Sequence, residues 1–329
     1  MENILLIRLK SIGDVAFTLP AVNLIRDHFP AAKITFLTSK ENTSLLRGFS
    51  AVNEVMALDR ARFKSGNPFH IVPEFVGLLR QLRAGRFSLV VDFQGFGETA
   101  WLARLTGAPA RWGSVYSKGR SWAYTQGMAR PPDMHPADWN LELLNRAGLK
   151  TTGVKNNFTL PEDVVTAARK FYTEQGLDLA KPTLLIQPFT SSPQKNWPLQ
   201  NYLAVAKYWQ AQQMQIIFVG GPGDRTALGE VAKHGYRVAT DTTLLVSAGL
   251  VQLATLMLGG DTGLGHLAVA QGKRVVMLMM HQRPGACVPF QHPAWAVVPE
   301  QADDISRISV EQVIRVTNEV LNQTKAVER

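Results

Sequence analysis

Three short stretches of this chain gather side chains able to bind an anion or move a proton. The first, RLKSIGDVAFTLPAV (8–22), carries Asp14 just after an apolar run, flanked by Lys10 and Ser11. A carboxylate placed there has two readings: a general base that takes a proton from an attacking hydroxyl, or a side chain that caps the start of a helix. The second, PFTSSPQKNWP (188–198), ends an apolar run in Thr190, Ser191 and Ser192 and then supplies Lys195 before Trp197 and Pro198. Hydroxyls, free backbone N–H groups and an ammonium make a phosphate cradle; the plainer alternative is a polar loop with a solvated lysine. The third, GGDTGLGHLA (259–268), contains the Asp-Thr-Gly triplet of aspartic proteases. That chemistry needs paired carboxylates on a β scaffold, whereas this chain has one copy within an α/β rhythm, so the protease is excluded. What remains is Asp261 or Thr262 capping a helix from Gly263 to Gln271, whose unpaired N–H groups and dipole favour a diphosphate. His266, one turn in, either donates a further hydrogen bond or packs in the core.

These residues need elements to hold them. Strand-length apolar runs alternate with amphipathic stretches of helix length, the pattern of parallel βαβ units. The first half predicts strands at 4–9, 33–38, 54–58 and 88–93, with helices near 15–28, 70–84, 98–106 and 138–147, the last stopped by Gly148. The second half predicts strands at 182–189, 215–221, 237–240, 254–260, 274–280 and 295–298, with helices near 161–175, 199–212, 224–234, 262–271 and 309–322. Residues 149–160 are polar and aperiodic and read as a linker, giving domains at 1–150 and 151–329. Open α/β sheets bind ligands at the carboxyl ends of their strands, and each of the three stretches is a strand-to-helix loop. The first has only Gly13 where a dinucleotide enzyme carries G-x-G-x-x-G, so a nicotinamide cofactor is not expected.

With 329 residues, two domains facing a cleft are the expectation. The chain is 46% hydrophobic and 19% charged, and no apolar run approaches the ~18 residues of a membrane span. A single cysteine, Cys287, excludes an internal disulfide and fits a reducing compartment. A formal charge of +9 calls for a polyanionic partner: nucleic acid, an anionic membrane face or a phosphorylated substrate. Residues 104–130 interleave Arg104, Arg111, Lys118, Arg120 and Arg130 with Trp112, Tyr116, Trp122 and Tyr124, a combination that suits a phosphorylated oligosaccharide, single-stranded RNA, or simply a solvated basic face over buried aromatics. Arg60, Arg62 and Lys64 can extend that surface. Cys287, between His281 and His292, lacks the spacing and the orienting third group of a thiol nucleophile. No Asp-x-Asp occurs, so no carboxylate pair advertises a metal.

Taken together, R-x-K-S-I-G-D-V, S-P-Q-K-N-W-P and G-D-T-G-x-x-H-L-A, in register with VVDFQG at 90–95, resemble glycosyltransferase family 9, the bacterial heptosyltransferases of lipopolysaccharide core assembly. The resemblance implies a GT-B fold of two Rossmann-like domains, an acceptor held by the first and a nucleotide-diphosphate sugar, ADP-heptose in this family, held by the second. It also implies inverting transfer with neither metal nor cofactor. By position, Asp14 would be the catalytic base, Lys195 with Thr190 or Ser191 would bind donor phosphate, and Asp261, Thr262, Gly263 and His266 would form the donor pocket. Lys10, Arg60 and Arg120 are the candidates for a phosphorylated or lipid-linked glycan acceptor. The expected setting is cytoplasmic, extending to peripheral contact with the anionic inner face of the inner membrane, with no nucleic acid among the partners. Two segments depart from the family: MMHQRPGACVPFQHP (279–293) replaces a short glycine-containing turn followed by Thr and Pro, and VGGPGDR (219–225) offers Asp224 in place of an acidic run. The competing readings are a nucleotide-sugar epimerase or hydrolase on the same fold, and a non-catalytic RNA- or lipid-binding protein.

Overall fold

The computed structural model describes residues 2–60, 68–116, 118–151, 153–301 and 303–323. Arg62 and Lys64 lie outside the described residues, as does the side chain of Lys118. The chain divides into two compact units, Met1–Thr159 and Leu160–Arg329.

In the first unit, β1 (Asn3–Ile7), β2 (Lys33–Ser39), β3 (Glu54–Leu58), β4 (Leu89–Asp92), β5 (Ala110–Val115) and β6 (Gln126–Ala129) form one parallel sheet in the order β3-β2-β1-β4-β5-β6. Its central strands are apolar on both faces because helices cover both: Ile4, Leu5, Leu6 and Ile7 are all fully buried. The helices are α1 (Ile12–Ala16), α2 (Leu19–His28), α3 (Pro68–Ala84), α4 (Gly97–Leu105) and α5 (Pro136–Arg146). The helix expected over 15–28 is therefore two. Pro20 has no N–H to return to Ala16, and the chain turns at Thr18, whose hydroxyl bonds Val15 O at 2.7 Å, before the helix restarts with proline in its first turn.

The second unit repeats the plan with β7 (Thr183–Gln187), β8 (Gln215–Val219), β9 (Arg237–Ala239), β10 (Leu256–Gly260), β11 (Val275–Leu278) and β12 (Ala296–Val297), parallel in the order β12-β11-β10-β7-β8-β9. Its helices are α6 (Glu162–Glu174), α7 (Leu199–Ala211), α8 (Arg225–Lys233), α9 (Leu244–Leu253), α10 (Gly263–Ala270) and α11 (Val310–Asn322). Both sheets thus grow outward in two directions from a pair of central strands, β1/β4 and β7/β10. Those pairs are the switch points beside which open α/β sheets place their ligands.

The unit boundary falls at 159/160 rather than 150/151, because residues 153–159 are tied to the first unit. Asn23 donates to Lys155 O, Lys155 pairs with Asp27, Phe158 meets Phe49 edge-on at 6.1 Å, and Thr159 N–H bonds Gly48 O. Polar composition in 149–160 reflected exposure, not a break in packing.

Candidate active site

At the first switch point the loop after β1 is built around a buried arginine. Arg8 donates from Nε to Lys10 O at 2.9 Å and from a terminal nitrogen to Phe93 O at 2.8 Å; its other terminal nitrogen pairs with Asp14 Oδ1 at 2.8 Å. Ser11, not Asp14, is the N-cap of α1. Asp14 occupies the third helical position and accepts from both the N–H and the hydroxyl of Ser11 at 3.2 Å, the second half of a capping box. The Asp14 carboxylate is one-third exposed, at 34%, and so remains open to a second partner.

The loop after β4 clamps this one in place. Gln94 Oε1 accepts from Leu9 N–H (2.8 Å) and Lys10 N–H (3.2 Å), and its amide nitrogen donates to Glu98. Gln94 is positioned in turn by Asp92, whose Oδ1 accepts from the N–H groups of Gln94 and Gly95 and whose Oδ2 accepts from Tyr124 OH at 2.7 Å. Burial pushes the Asp92 carboxyl up, and the hydrogen bonds from Gly95, Tyr124, Thr99 and Gln94 oppose that rise. Burial, then the charge of Asp92, pushes the Tyr124 phenol far up, so it stays a donor. Gly95 is required in this turn: its φ is +69°, and a Cβ there would lie 1.9 Å from Ser114 O.

Around this core stand the candidate acceptor residues. Arg60 pairs with Glu98 at 3.3 Å, Arg120 reaches Gly95 O at 3.4 Å, and the Lys10 ammonium lies 5.8 Å from the centre of the Phe96 ring. A cavity of about 620 Å³ opens beside Arg60 and Glu98, walled by Leu58, Phe75, Leu78, Trp101, Leu102 and Leu105. The basic aromatic stretch 104–130 is not one face. Trp112 and Tyr124 are core residues and Arg111 donates to the carbonyls of Ala108 and Ala123, whereas Trp122 and Tyr116 are exposed, Trp122 meeting Trp101 edge-on and Tyr116 lying tilted against Phe96.

At the second switch point, Gly260 ends β10 against the loop that follows β7. A Cβ on Gly260 would meet the Thr190 methyl at 2.6 Å, so glycine here admits the neighbouring loop. Thr262 is the N-cap of α10: its hydroxyl accepts from Gly265 N–H at 3.2 Å and donates to Gln187 Oε1 at 2.7 Å. Gly263 and Leu264, in the first turn, have N–H groups with no partner inside the helix. Asp261 accepts from Lys195 Nζ at 2.7 Å and from His266 Nε2 at 3.0 Å. Burial alone would raise the Asp261 carboxyl; the hydrogen bonds and charges of His266 and Lys195 outweigh it and hold the group at about 2. His266 is buried, so packing and hydrogen bonding are both true of it. Trp197, fully buried and donating to Ile308 O, anchors the end of the lysine loop. Thr190 is occupied in its own turn, bonding Ser192 O and accepting from Ser192 N–H, while Ser191 is exposed. A cavity of about 200 Å³ adjoins Lys195 and Asp261 and is completed by His281, Cys287 and the apolar Leu278, Met279, Met280 and Ile305.

The structure therefore gathers Asp261, Thr262, Gly263, His266, Lys195 and Thr190 at one switch point, and Asp14 and Lys10 at the other. Asp224 is spent on its own turn, accepting from Gly221 N–H at 2.8 Å. Sequence reasoning gave no part to Arg8, Asp92, Gln94 or Glu98; the first three lay within the recognised motifs, and that was their only signal. Among the described residues no group of three His, Cys, Asp or Glu side chains converges as a metal site would, and no helix is long and apolar enough to cross a membrane.

Comparison with known proteins bears on the family and the fold. The lipopolysaccharide core heptosyltransferase OpsX of Haemophilus influenzae is 23% identical over 306 residues, 88% of this chain and 82% of its own. The fold matches that of the family 9 glycosyl transferase from Veillonella parvula with a TM-score of 0.87 at 22% identity, covering 98% and 97% of the two chains. It also matches the Escherichia coli heptosyltransferase WaaC solved with ADP-2-deoxy-2-fluoro heptose, with a TM-score of 0.77 at 19% identity over 96% and 99%. The family model for glycosyltransferase family 9 (heptosyltransferase) spans residues 75–312, both switch points' second strands included, and the chain belongs to that family of glycosyltransferases.

Proposed function

We propose that this enzyme moves a heptose from ADP-heptose to a hydroxyl of the lipopolysaccharide core, or of another phosphorylated, lipid-linked glycan, with inversion at the anomeric carbon and without a metal. The observation that carries the reading is the pairing of functions at the two switch points: a one-third-exposed carboxylate at the first, and a lysine beside a helix N-terminus at the second. In the proposed step the acceptor oxygen forms a bond to the anomeric carbon as the bond from that carbon to the β-phosphate oxygen breaks. The acceptor proton passes to Asp14. The two electrons of the broken bond leave with ADP, whose charge is met by Lys195 and by the N–H groups of Gly263 and Leu264.

Metal independence is supported by this chemistry. Lysine and helix dipole supply the positive charge a divalent ion would otherwise bring, and Asp261 already accepts from a lysine and a histidine. On the acceptor side, Arg60, Arg120 and Lys10 suit phosphate, and the apolar cavity beside Arg60 suits the hydrocarbon part of a lipid-linked glycan. Val72, Phe75, Val76, Trp101 and Trp122 add exposed apolar area on the same unit, as peripheral contact with an anionic membrane face would use.

The test is mass spectrometry of the purified protein with ADP-heptose, with and without a truncated lipopolysaccharide core, in the presence of a chelator. Sugar should move to the core in chelator and ADP should appear only with the acceptor present. Donor consumption without acceptor would instead establish an epimerase or hydrolase, and a strict need for a divalent ion would overturn the metal-free step.

A further inference from the structure

The segment 279–293 begins directly at the end of β11, next to the strand that delivers Asp261. Gly260 of β10 is paired with Leu278 of β11, and Gly259 with Gln187 of β7, so three neighbouring strands end together. The loops that follow them supply His281, Asp261 and Lys195 to one cavity of about 200 Å³. That volume is too small for a nucleotide, since pockets for such ligands run to roughly 300–1,000 Å³, but it is ample for a single sugar ring. Its chemistry suits a polyol better than a phosphate. Leu278, Met279, Met280 and Ile305 offer apolar surface to the C–H face of a ring, and the Asp261 carboxylate accepts hydrogen bonds while repelling a second anion.

His281, like Cys287, lines this cavity without a part in the proposed reaction. Its Nδ1 is sealed from solvent and has no hydrogen-bond partner. Its Nε2 is not among the sealed atoms and makes no hydrogen bond with the described residues. A buried N–H without an acceptor is rarer in proteins than a buried acceptor without a donor. The ring proton therefore belongs on Nε2, the nitrogen still open to a ligand, and His281 presents a donor where Asp261 presents an acceptor. The loop is held rigid behind it: Gln282 donates to the carbonyls of Pro293 and Ala296, and Met279 N–H bonds Val297 O.

We infer that His281 is a sugar-specificity residue, donating from Nε2 to a hydroxyl or ring oxygen of the transferred sugar, in a subsite this chain builds from its own 279–293 segment. The inference rests on the donor reading above and adds to it a contact with the sugar rather than with the nucleotide.

Titration calorimetry of the full chain with two probes, ADP and ADP-2-deoxy-2-fluoro heptose, tests it. His281→Ala should weaken the sugar-bearing probe by ~10-fold, the loss of one hydrogen bond in a partly enclosed site, and leave ADP within about twofold. Unchanged ADP affinity also certifies that the variant is folded. His281→Gln, which keeps a donor of similar reach, should recover most of the lost affinity. Unaltered binding of the sugar-bearing probe by His281→Ala overturns the inference, and so does an equal loss for both probes, which would place His281 on the diphosphate. Failure of the wild-type chain to bind either probe would overturn the donor reading itself, and this inference with it.

Discussion

Replacing Asp14 by asparagine separates its two roles, and the structure gives the size of each. The side chain is not the cap of α1, so asparagine does not simply preserve a cap. It keeps an oxygen able to accept from Ser11 N–H but loses the charge that pairs with Arg8 at 2.8 Å. Arg8 is 10% exposed at its side chain and would be left with two backbone carbonyls and no counter-charge. Breaking a fully buried pair costs about 3–5 kcal/mol and an exposed one about 0–1. With Asp14 one-third exposed, about 1–2 kcal/mol is expected, or a melting point lower by roughly 2–8 °C in a unit of this size. Loss of a general base costs ~10²–10⁴ in kcat. The assay is steady-state kinetics well below the melting transition, with donor affinity measured separately. Asp14→Asn should lose ~10²–10⁴ in kcat while donor affinity holds, because the proposed donor residues lie in the other unit. Arg8→Met breaks the same ion pair and keeps the carboxylate, so it should show a similar fall in melting point but lose only about tenfold in kcat. If Asp14→Asn turns over within about threefold of wild type, or if Arg8→Met matches its loss, the carboxylate is a structural partner of Arg8 and not the base.

Gln94→Leu removes the acceptor for two N–H groups of the Asp14 loop, so steady-state kinetics should show kcat at least ~10-fold lower with donor affinity unchanged. Asp261→Asn should alter acid stability. The Asp261 carboxyl sits at about 2 against an ordinary 3.8, so its contribution is complete above pH ~4 and lost as pH falls towards 2, and chemical denaturation of the variant should lack about 2 kcal/mol of the wild type's loss over that window.

The strands of both sheets were legible wherever an apolar run is bounded by turn residues, as in ILLIRL, SLVVDF and QIIFVGG. Two strands and a helix were not. ARWGSV (β5) has no alternation to read, because Arg111 is drawn inward by the carbonyls of Ala108 and Ala123 while Gly113 leaves its face to Tyr124. QGMA (β6) is too short and polar, and it is recruited by pairing with β5. LLVSAGLVQL (α9) is apolar all round and is mostly buried, so it lacks the polar face by which a helix is recognised. Within the candidate site, the charged residues proposed to meet a ligand were visible from type and spacing, whereas those that hold the loops were not. Gln94 and Asp92 act on Leu9, Lys10 and Gly95 through backbone groups, and a contact between loops more than eighty residues apart leaves no local pattern.

The proposed allocation of donor and acceptor to the two units rests on where backbone N–H groups are spent. A Rossmann-like loop that cradles a diphosphate must leave its N–H groups free. In the first unit those of Leu9 and Lys10 go to Gln94, that of Ser11 goes to Asp14, and the carboxylate of Asp14 stands at the mouth of a five-residue helix with little dipole to offer. A diphosphate placed there would find few free donors. In the second unit α10 presents Gly263 and Leu264 with N–H groups unpaired within the helix, the Thr262 hydroxyl accepts only from Gly265 N–H, and Lys195 stands beside them. The same topology thus supplies one end suited to take a proton from a neutral hydroxyl and another suited to receive a departing anion, which is the division of labour that transfer from a nucleotide sugar requires.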